Sequence, residues 1–328
     1  MDSKGVLYGS TSAGGTDSRG VVFSLAPPAH GQTSWTETVL HDFTGSHDGS
    51  APLAGLVIDK KGNLYGTAST GGAENKGVVF ELSPPAAGKT QWTETVLHSF
   101  SNGADGGLPS ADLTIDGSGA LYGTTTHGGT TSCKFDSSAG CGVVFKLTPP
   151  AAGQTSWTET VLHSFNFELP SILDGTVPLG GVVVNSSGVI FGTTSNGGSH
   201  LLAGVVYRLT PAAGAKTGYT ETVAYDFGAT GSDGVGPLGN LLLDKAGNLY
   251  GTASEGGASS NNSGDIYKLA PAATGKVLGK ETVLRSFTQR TDGGGPMAGL
   301  AVDKSGAFYG TTALGGAGKC GTVFKLTP

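Results

Sequence analysis

The sequence predicts an all-β protein, a β-propeller of four-stranded antiparallel blades, and three observations carry that prediction. Glycine supplies 58 of the 328 residues. At about 1 kcal/mol per interior helical glycine, no window sustains a helical period. A Tyr or Phe followed by Gly-Thr or Gly-Ser returns at Tyr8, Tyr65, Tyr122, Phe191, Tyr250 and Tyr309, at spacings of 57, 57, 69, 59 and 59. A period near sixty marks a repeat architecture. Each full unit holds four short β-branched and aromatic runs bounded by Gly, Pro and Asp. A parallel solenoid, the runner-up, needs shorter coils and no repeated four-strand meander.

The second unit serves as the pattern. Its strands read as Leu53 to Asp59, Leu64 to Thr67, Gly77 to Leu82 and Trp92 to Phe100. Asp59-Lys60-Lys61-Gly62 is a tight hairpin, because Asp bonds its own backbone and Gly supplies positive φ. Ser83-Pro84-Pro85 ends the third strand, since proline has no N–H for a ladder. Along the chain the second and third strands occur six times, the first and fourth five times. Six blades with incomplete terminal blades are expected, and five blades with a spare hairpin are the alternative. The units run about 1–50, 51–107, 108–176, 177–235, 236–294 and 295–328, in a single propeller domain spanning 1–328. Asp2-Ser3-Lys4-Gly5 matches the hairpin at Asp59, so the chain is expected to open inside a blade of a longer reading frame. Unpaired edges in the terminal blades are expected to fray or to associate end to end.

Composition excludes several classes of function. A net charge of −6 with 19 scattered basic residues leaves no footprint for nucleic acid. No run of 18 apolar residues reads as a membrane span, and residues 1–20 carry no secretory signal. Ala87-Gly88-Lys89-Thr90 lacks the rest of a phosphate loop, and neither Gly-x-Ser-x-Gly nor His-Glu-x-x-His occurs.

The series Asp48-Gly49, Pro52-Leu53-Ala54-Gly55-Leu56, Asn63-Leu64-Tyr65-Gly66-Thr67, Gly71-Gly72, Gly77-Val78-Val79-Phe80 and Thr93-Glu94-Thr95-Val96-Leu97 resembles the GloVer tandem repeat. This bacterial family occurs in proteins read as secreted or surface-borne, often ending in a sorting anchor. The resemblance covers essentially the whole chain and implies an exported repeat protein, extracellular or on the cell surface, of no settled activity. The first strand followed by Asp-x-x-Gly-Asn-Leu-Tyr is more loosely similar to NHL-type propellers, which places that strand innermost.

Loop lengths point to one face. The first-to-second strand spacing is always 6 (Asp59 to Tyr65, Asn185 to Phe191), and the third-to-fourth is always 14 (Phe23 to Glu37, Tyr267 to Glu281). The second-to-third spacing runs 15, 15, 23, 16, 17 and 15, and the fourth-to-next-proline spacing 9, 9, 13, 10 and 9. In an antiparallel meander these two variable connections share one end of the blade, and loops on a rigid scaffold are where binding concentrates. The longest insertion holds Cys133 and Cys141, read as a disulfide that implies an oxidising compartment. A second insertion brings Phe167, Glu168 and Leu169 to the same face, as a contact surface or as a plug over the channel mouth.

At the channel-facing start of the first strand the blades read Gly55, Asp112, Gly181, Asn240 and Gly299. Asp112 and Asn240, with Ser110 nearby, are candidate oxygen ligands for a sugar hydroxyl or a hard cation. Otherwise neither cofactor nor metal is expected: the cysteines lack metal-ligand spacing, and His47, His127 and His200 lie in different blades. Residues present once per blade, Glu37, Glu94, Glu159, Glu221 and Glu281 with Asp48, Asp105, Asp174, Asp233 and Asp292, read as turn and inter-blade hydrogen bonds. The leading expectation is a binding or scaffold module that presents its variable face to a polysaccharide or a surface protein. The alternative is a carbohydrate-active hydrolase or lyase with its site at the channel mouth.

Overall fold

The computed structural model describes residues 1–129, 133, 140–166, 174–200, 203–212, 218–259, 261–271 and 278–327. Six antiparallel sheets, one per repeat, make the fold a six-bladed β-propeller. Blade 1 holds β1 (Leu7–Thr11), β2 (Val21–Ala26) and β3 (Thr36–Asp42). Blade 2 holds β4 (Val57–Ile58), β5 (Leu64–Ala68), β6 (Val78–Ser83) and β7 (Thr93–Ser99). Blade 3 holds β8 (Thr114–Ile115), β9 (Leu121–Thr125), β10 (Val143–Thr148) and β11 (Thr158–Ser164). Blade 4 holds β12 (Val183–Val184), β13 (Ile190–Thr194), β14 (Val205–Pro211) and β15 (Tyr219–Asp226). Blade 5 holds β16 (Gly234–Pro237), β17 (Leu242–Leu243), β18 (Leu249–Gly256), β19 (Asp265–Pro271) and β20 (Leu278–Ser286). Blade 6 holds β21 (Ala301–Val302), β22 (Phe308–Thr312) and β23 (Thr322–Leu326). The chain divides into two compact units, 1–130 with 142–164 and 131–141 with 165–328.

The repeated glycine of the second strand has a packing cause. Gly66 sits opposite Phe80 and Gly123 opposite Phe145, and the same pairing recurs as Gly251 with Tyr267 and Gly310 with Phe324. A Cβ on Gly66 would lie 2.6 Å from Phe80 Cζ, so the ring lies across bare backbone. That ring meets the fourth-strand Phe of the preceding blade edge-on or tilted. Centroid distances are 5.2 Å for Phe43–Phe80, 5.2 Å for Phe100–Phe145, 5.1 Å for Phe227–Tyr267 and 5.2 Å for Phe287–Phe324. All of these fourth-strand rings are fully or almost fully buried, so the core is a series of inter-blade layers.

The hairpin of constant length is locked from within. Asp59 Oδ1 accepts the backbone N–H of Lys61 and Asn63 at 2.7 and 2.9 Å, and its Oδ2 accepts the Tyr65 hydroxyl at 3.3 Å. Asp2–Tyr8, Asp116–Tyr122, Asp244–Tyr250 and Asp303–Tyr309 repeat the clasp. In blade 4 both partners change together. Asn185 Oδ1 takes the two backbone donors, and Phe191 has no hydroxyl to place.

The first strand is shorter than the sequence suggests, two residues rather than Leu53 to Asp59. The preceding backbone is engaged elsewhere. Ser10 Oγ donates to the Ala54 carbonyl at 2.7 Å, Thr67 Oγ1 to Ala111 at 3.2 Å and Thr252 Oγ1 to Ala298 at 2.9 Å, each from the blade before. A second latch uses the residue before the loop proline. The N–H groups of Ala51, Leu108, Gly236 and Gly295 donate to Arg19, Lys76, Ala203 and Ser263 of the preceding blade at 2.8 to 2.9 Å. These residues adopt left-handed φ, 53° at Ala51, 54° at Leu108 and 58° at the equivalent Val177, where blades 5 and 6 carry glycine.

Candidate functional site

The variable connections are shaped by short polar turns. Asp48 accepts Thr44 N and Thr44 Oγ1 at 2.8 and 2.7 Å, and Asp105, Asp233 and Asp292 close the same loop on Ser101, Thr230 and Thr288. The acids present once per blade are therefore turn formers on the aspartate side. The recurring glutamates differ from the sequence reading. Glu281 Oε2 accepts Gly234 N–H at 3.3 Å, but the Oε1 atoms of Glu94, Glu159 and Glu281 are buried without hydrogen-bond partners. Burial first, and then the neighbouring Asp48 or Asp105 charge, pushes the Glu94 and Glu159 carboxyls up to about 7.

Asp112 and Asn240 occupy equivalent places in separate units. Each turns its side chain back to the preceding blade: Asp112 Oδ1 accepts Gly55 N–H and Asn240 Oδ1 accepts Gly181 N–H, both at 2.5 Å. The alternation of glycine with Asp or Asn follows from these contacts. A Cβ on Gly55 would stand 3.1 Å from Asp112 Oδ1, and one on Gly299 would stand 2.9 Å from the Asn240 carbonyl oxygen. Ser110, two residues before Asp112, keeps a buried Oγ with no hydrogen-bond partner. Phe167, Glu168 and Leu169 lie outside the described residues.

Cys133 and Cys141 form a disulfide with Cα atoms 5.0 Å apart, and both are buried. The Cys141 carbonyl accepts the Val177 N–H at 3.2 Å, which ties the insertion to the strained residue of blade 4. Cys320 is an exposed thiol. His127 Nδ1 lies 2.9 Å from Thr126 Oγ1, His200 stands 3.7 Å from Asp226, and His47 is exposed. Among the described residues no group of three or more His, Cys, Asp or Glu is placed to hold a metal ion.

One cluster was missed from the sequence. Asp265 opens β19 where the other blades carry Val21, Val78, Val143, Val205 and Thr322, and comparing those positions alone would have exposed it. Its side chain is fully buried, and both carboxyl oxygens lack partners. It lies beneath the variable connections of blade 5: a Cβ on Gly234 would stand 3.0 Å from its Oδ1, and one on Gly257 3.2 Å from its Cβ. Burial, then the Glu281 and Asp233 charges, pushes its carboxyl up to about 8. Glu281 rises to about 7 by burial and the Asp233 charge, against the Gly234 N–H bond. Asp265 and Glu281 are thus held toward their protonated forms, a property that buried functional carboxyls share with structural ones.

The Gloeobacter/Verrucomicrobia repeat matches residues 1–133 and 131–328. No curated protein matches the sequence. Among solved structures, a Bacteroides uniformis protein assigned as a 6-phosphogluconolactonase is similar at 14% identity and TM-score 0.55, covering 98% of this chain and 80% of its own. A Thermus thermophilus protein assigned as an oxidoreductase (glucose dehydrogenase) is similar at 16% identity and TM-score 0.51, covering 98% of each chain. The extracellular domain of a one-component system from B. thetaiotaomicron is similar at 12% identity and TM-score 0.51, covering all of this chain and 33% of that one. At these identities the likeness concerns the fold. No helix among the described residues is long and apolar enough to cross a membrane.

Proposed function

Because the chain belongs to the Gloeobacter/Verrucomicrobia repeat family and builds its blades with one constant and one variable end, we propose that it is a binding or scaffold module, exported from a bacterial cell, whose variable loop face engages a glycan or a protein partner. The observation that carries the reading is the confinement of length variation to connections that share one end of each blade, while the opposite hairpins are clasped by Asp and Tyr. The disulfide supports an oxidising, extracellular setting. Asp112, Asn240 and Ser110 remain candidates for a sugar hydroxyl or a cation, and Phe167, Glu168 and Leu169 for a contact with the partner.

The test is a polysaccharide array read against the parent chain, a variant with residues 167–173 replaced by a short Gly-Ser turn, and an Asp112→Ala variant, with metal content measured alongside. Retention of one glycan class by the parent and its loss in the loop variant, at unchanged folding, is expected. Equal retention by all three removes the loop face from the proposal.

A carbohydrate-active hydrolase or lyase is the second reading, and the buried carboxyls of Asp265 and Glu281, both held toward their protonated forms, favour it. Release of reducing ends or of unsaturated uronate from an array hit, abolished by Asp265→Asn, would select this reading over simple binding.

A further inference from the structure

The junction between blades 4 and 5 departs from the other layers at several positions that meet at the constant end of the blades. In blades 2, 3 and 4 an aromatic residue heads the outer strand, Trp92, Trp157 or Tyr219, where blade 5 has Gly279. At the first two of these junctions the indole closes the corner, Trp92 edge-on to Tyr8 at 6.3 Å and Trp157 edge-on to Tyr65 at 6.1 Å. Among the described residues, a Cβ on Gly279 would meet only the Ala270 carbonyl oxygen within 4 Å, at 3.3 Å. Leu278, one residue earlier, packs into the layer instead, and a cleft of about 600 Å³ stays open beside it.

The floor of that cleft changes in step with the lost aromatic. Blades 3, 5 and 6 each hold a lysine over the clasped tyrosine: Lys146 Nζ lies 5.2 Å from the Tyr122 ring centre, Lys268 Nζ 5.6 Å from Tyr250 and Lys325 Nζ 5.2 Å from Tyr309. Each of these tyrosines donates to an aspartate, so the cation stands beside an acid. Blade 4 keeps the cation as Arg208, paired across the sheet with Phe191, and loses the acid. Asn185 Oδ1 accepts the Ser187 and Val189 N–H groups at 2.9 and 3.0 Å, which leaves an amide nitrogen where the other blades hold a second carboxylate oxygen. Arg208 Nε is buried with no hydrogen-bond partner.

Together these changes turn a self-contained corner into a receptive one. Arg208, Asn185 and Lys245 bring donors to the cleft, and Phe191, Leu243 and Leu278 give it apolar walls. Asp244 is the single acid among the described lining residues, and its oxygens already accept from Ala246, Asn248 and Tyr250. Two cations against one acid leave a net charge of +1, which suits a singly charged oxyanion better than a dianion. The volume lies within the range of small-molecule sites, about 300–1,000 Å³, and exceeds what a bare ion fills. An aromatic wall beside convergent donors fits a sugar ring that carries the charge.

We propose that the corner between blades 4 and 5 binds a singly charged acidic sugar residue, a uronate or a sulfate ester. The acid group lies on the Arg208 guanidinium and the Asn185 amide, with Lys245 at the rim. The ring takes the volume that an indole fills at the junctions of blades 1 with 2 and 2 with 3, against Phe191. The site is at the end of the blades opposite the variable loops, so it stands or falls separately from any ligand on that face.

Sodium glucuronate, glucose 6-sulfate and uncharged glucose are titrated separately into the full chain, with labelled leucine and valine methyl groups, at low ionic strength. Saturable NMR shifts of the Leu243, Leu278 and Val184 methyls are expected with at least one of the two acids, and which acid gives them tells the carboxylate source from the sulfate. The Val79 methyls, in another layer, should stay fixed. Glucose should bind at least about tenfold more weakly. Asn185→Asp, which installs the residue of the other blades and keeps both backbone bonds, should weaken the acid at least about tenfold, and Arg208→Met should do the same. Gly279→Trp should close the cleft and abolish the shifts without lowering the melting temperature. The proposal is overturned if neither acid saturates, if glucose binds as well as the acids, or if binding survives undiminished in Asn185→Asp and Arg208→Met or in Gly279→Trp.

Discussion

At the residue scale, Asp265 is the side chain most at odds with its surroundings. A carboxyl whose folded pKa is raised to about 8 favours the fold while protonated. Its contribution is complete below the unfolded value near 3.8 and is lost as pH rises toward 8. Glu94, Glu159 and Glu281, raised to about 7, act in the same direction over a narrower range. The melting temperature should therefore fall between about pH 5 and 8. Asp265→Val, which installs what four other blades carry, should raise stability at pH 8 by at least about 1 kcal/mol and flatten the profile. Denaturant midpoints at pH 5 and pH 8 decide the matter, and an unchanged slope in the variant would show that the acid is solvated. Val177 is the second such residue, a β-branched side chain at φ 58° where two other blades use glycine. Val177→Gly should stabilise by about 1 kcal/mol in the same assay, because relief of left-handed strain exceeds the entropy that glycine adds to the unfolded chain. Sequence comparison between blades reaches both positions, since each departs from its own repeat. It cannot reach the bond from Asp112 to Gly55, because a separation of 57 residues is one repeat and does not reveal which blade the side chain turns toward.

At the scale of the element, the second strand owes its Tyr-Gly-Thr signature to a ring lying on backbone. Gly123→Ala would put a methyl 2.6 Å from Phe145 Cζ and 2.8 Å from Leu113 Cδ2, so it should cost about 1–3 kcal/mol by displacing a fully buried ring. Gly117→Ala, with nothing within 4 Å of its added carbon, is the matched control in a thermal melt. The disulfide element yields a chemical prediction. Intact mass should rise by about 2 Da on reduction, and thiol titration of the oxidised chain should find Cys320 alone. The second, third and fourth strands were readable because each is bounded by Gly, Pro or Asp with a turn mechanism. The first strand was overextended in the reading. The apolar run at 53–58 announces an extended backbone, but it does not tell whether its carbonyls join a ladder or accept hydroxyls from the neighbouring blade, as Ala54 and Ala111 do.

At the scale of the whole molecule, blade count and the location of variability came from spacing alone, whereas the lack of partners around the buried carboxyls needed coordinates. Periodicity marks Asp265 as a departure from its repeat, but that its carboxyl is buried without a partner is visible only once its neighbours are placed. The five described junctions use the same parts: a ring on a ring, and a pre-proline N–H given to the blade before. Stability in such an array approximates a sum over blades and their nearest-neighbour interfaces. Hydrogen exchange should accordingly differ between blades, with the largely buried β5 and β6 protected more than β22 and β23, whose residues are mostly half-buried or exposed.

The pre-proline latch has a consequence for heredity. The bond reaches back 32 residues from Ala51, Leu108 and Gly295, 33 from Gly236 and 36 from Val177, so its step follows the repeat and stretches only with the connection it crosses. A crossover between two copies of the coding repeat, at any matched point, restores every donor to an acceptor of the same kind. A change in copy number by unequal recombination would therefore create no novel junction between neighbouring blades.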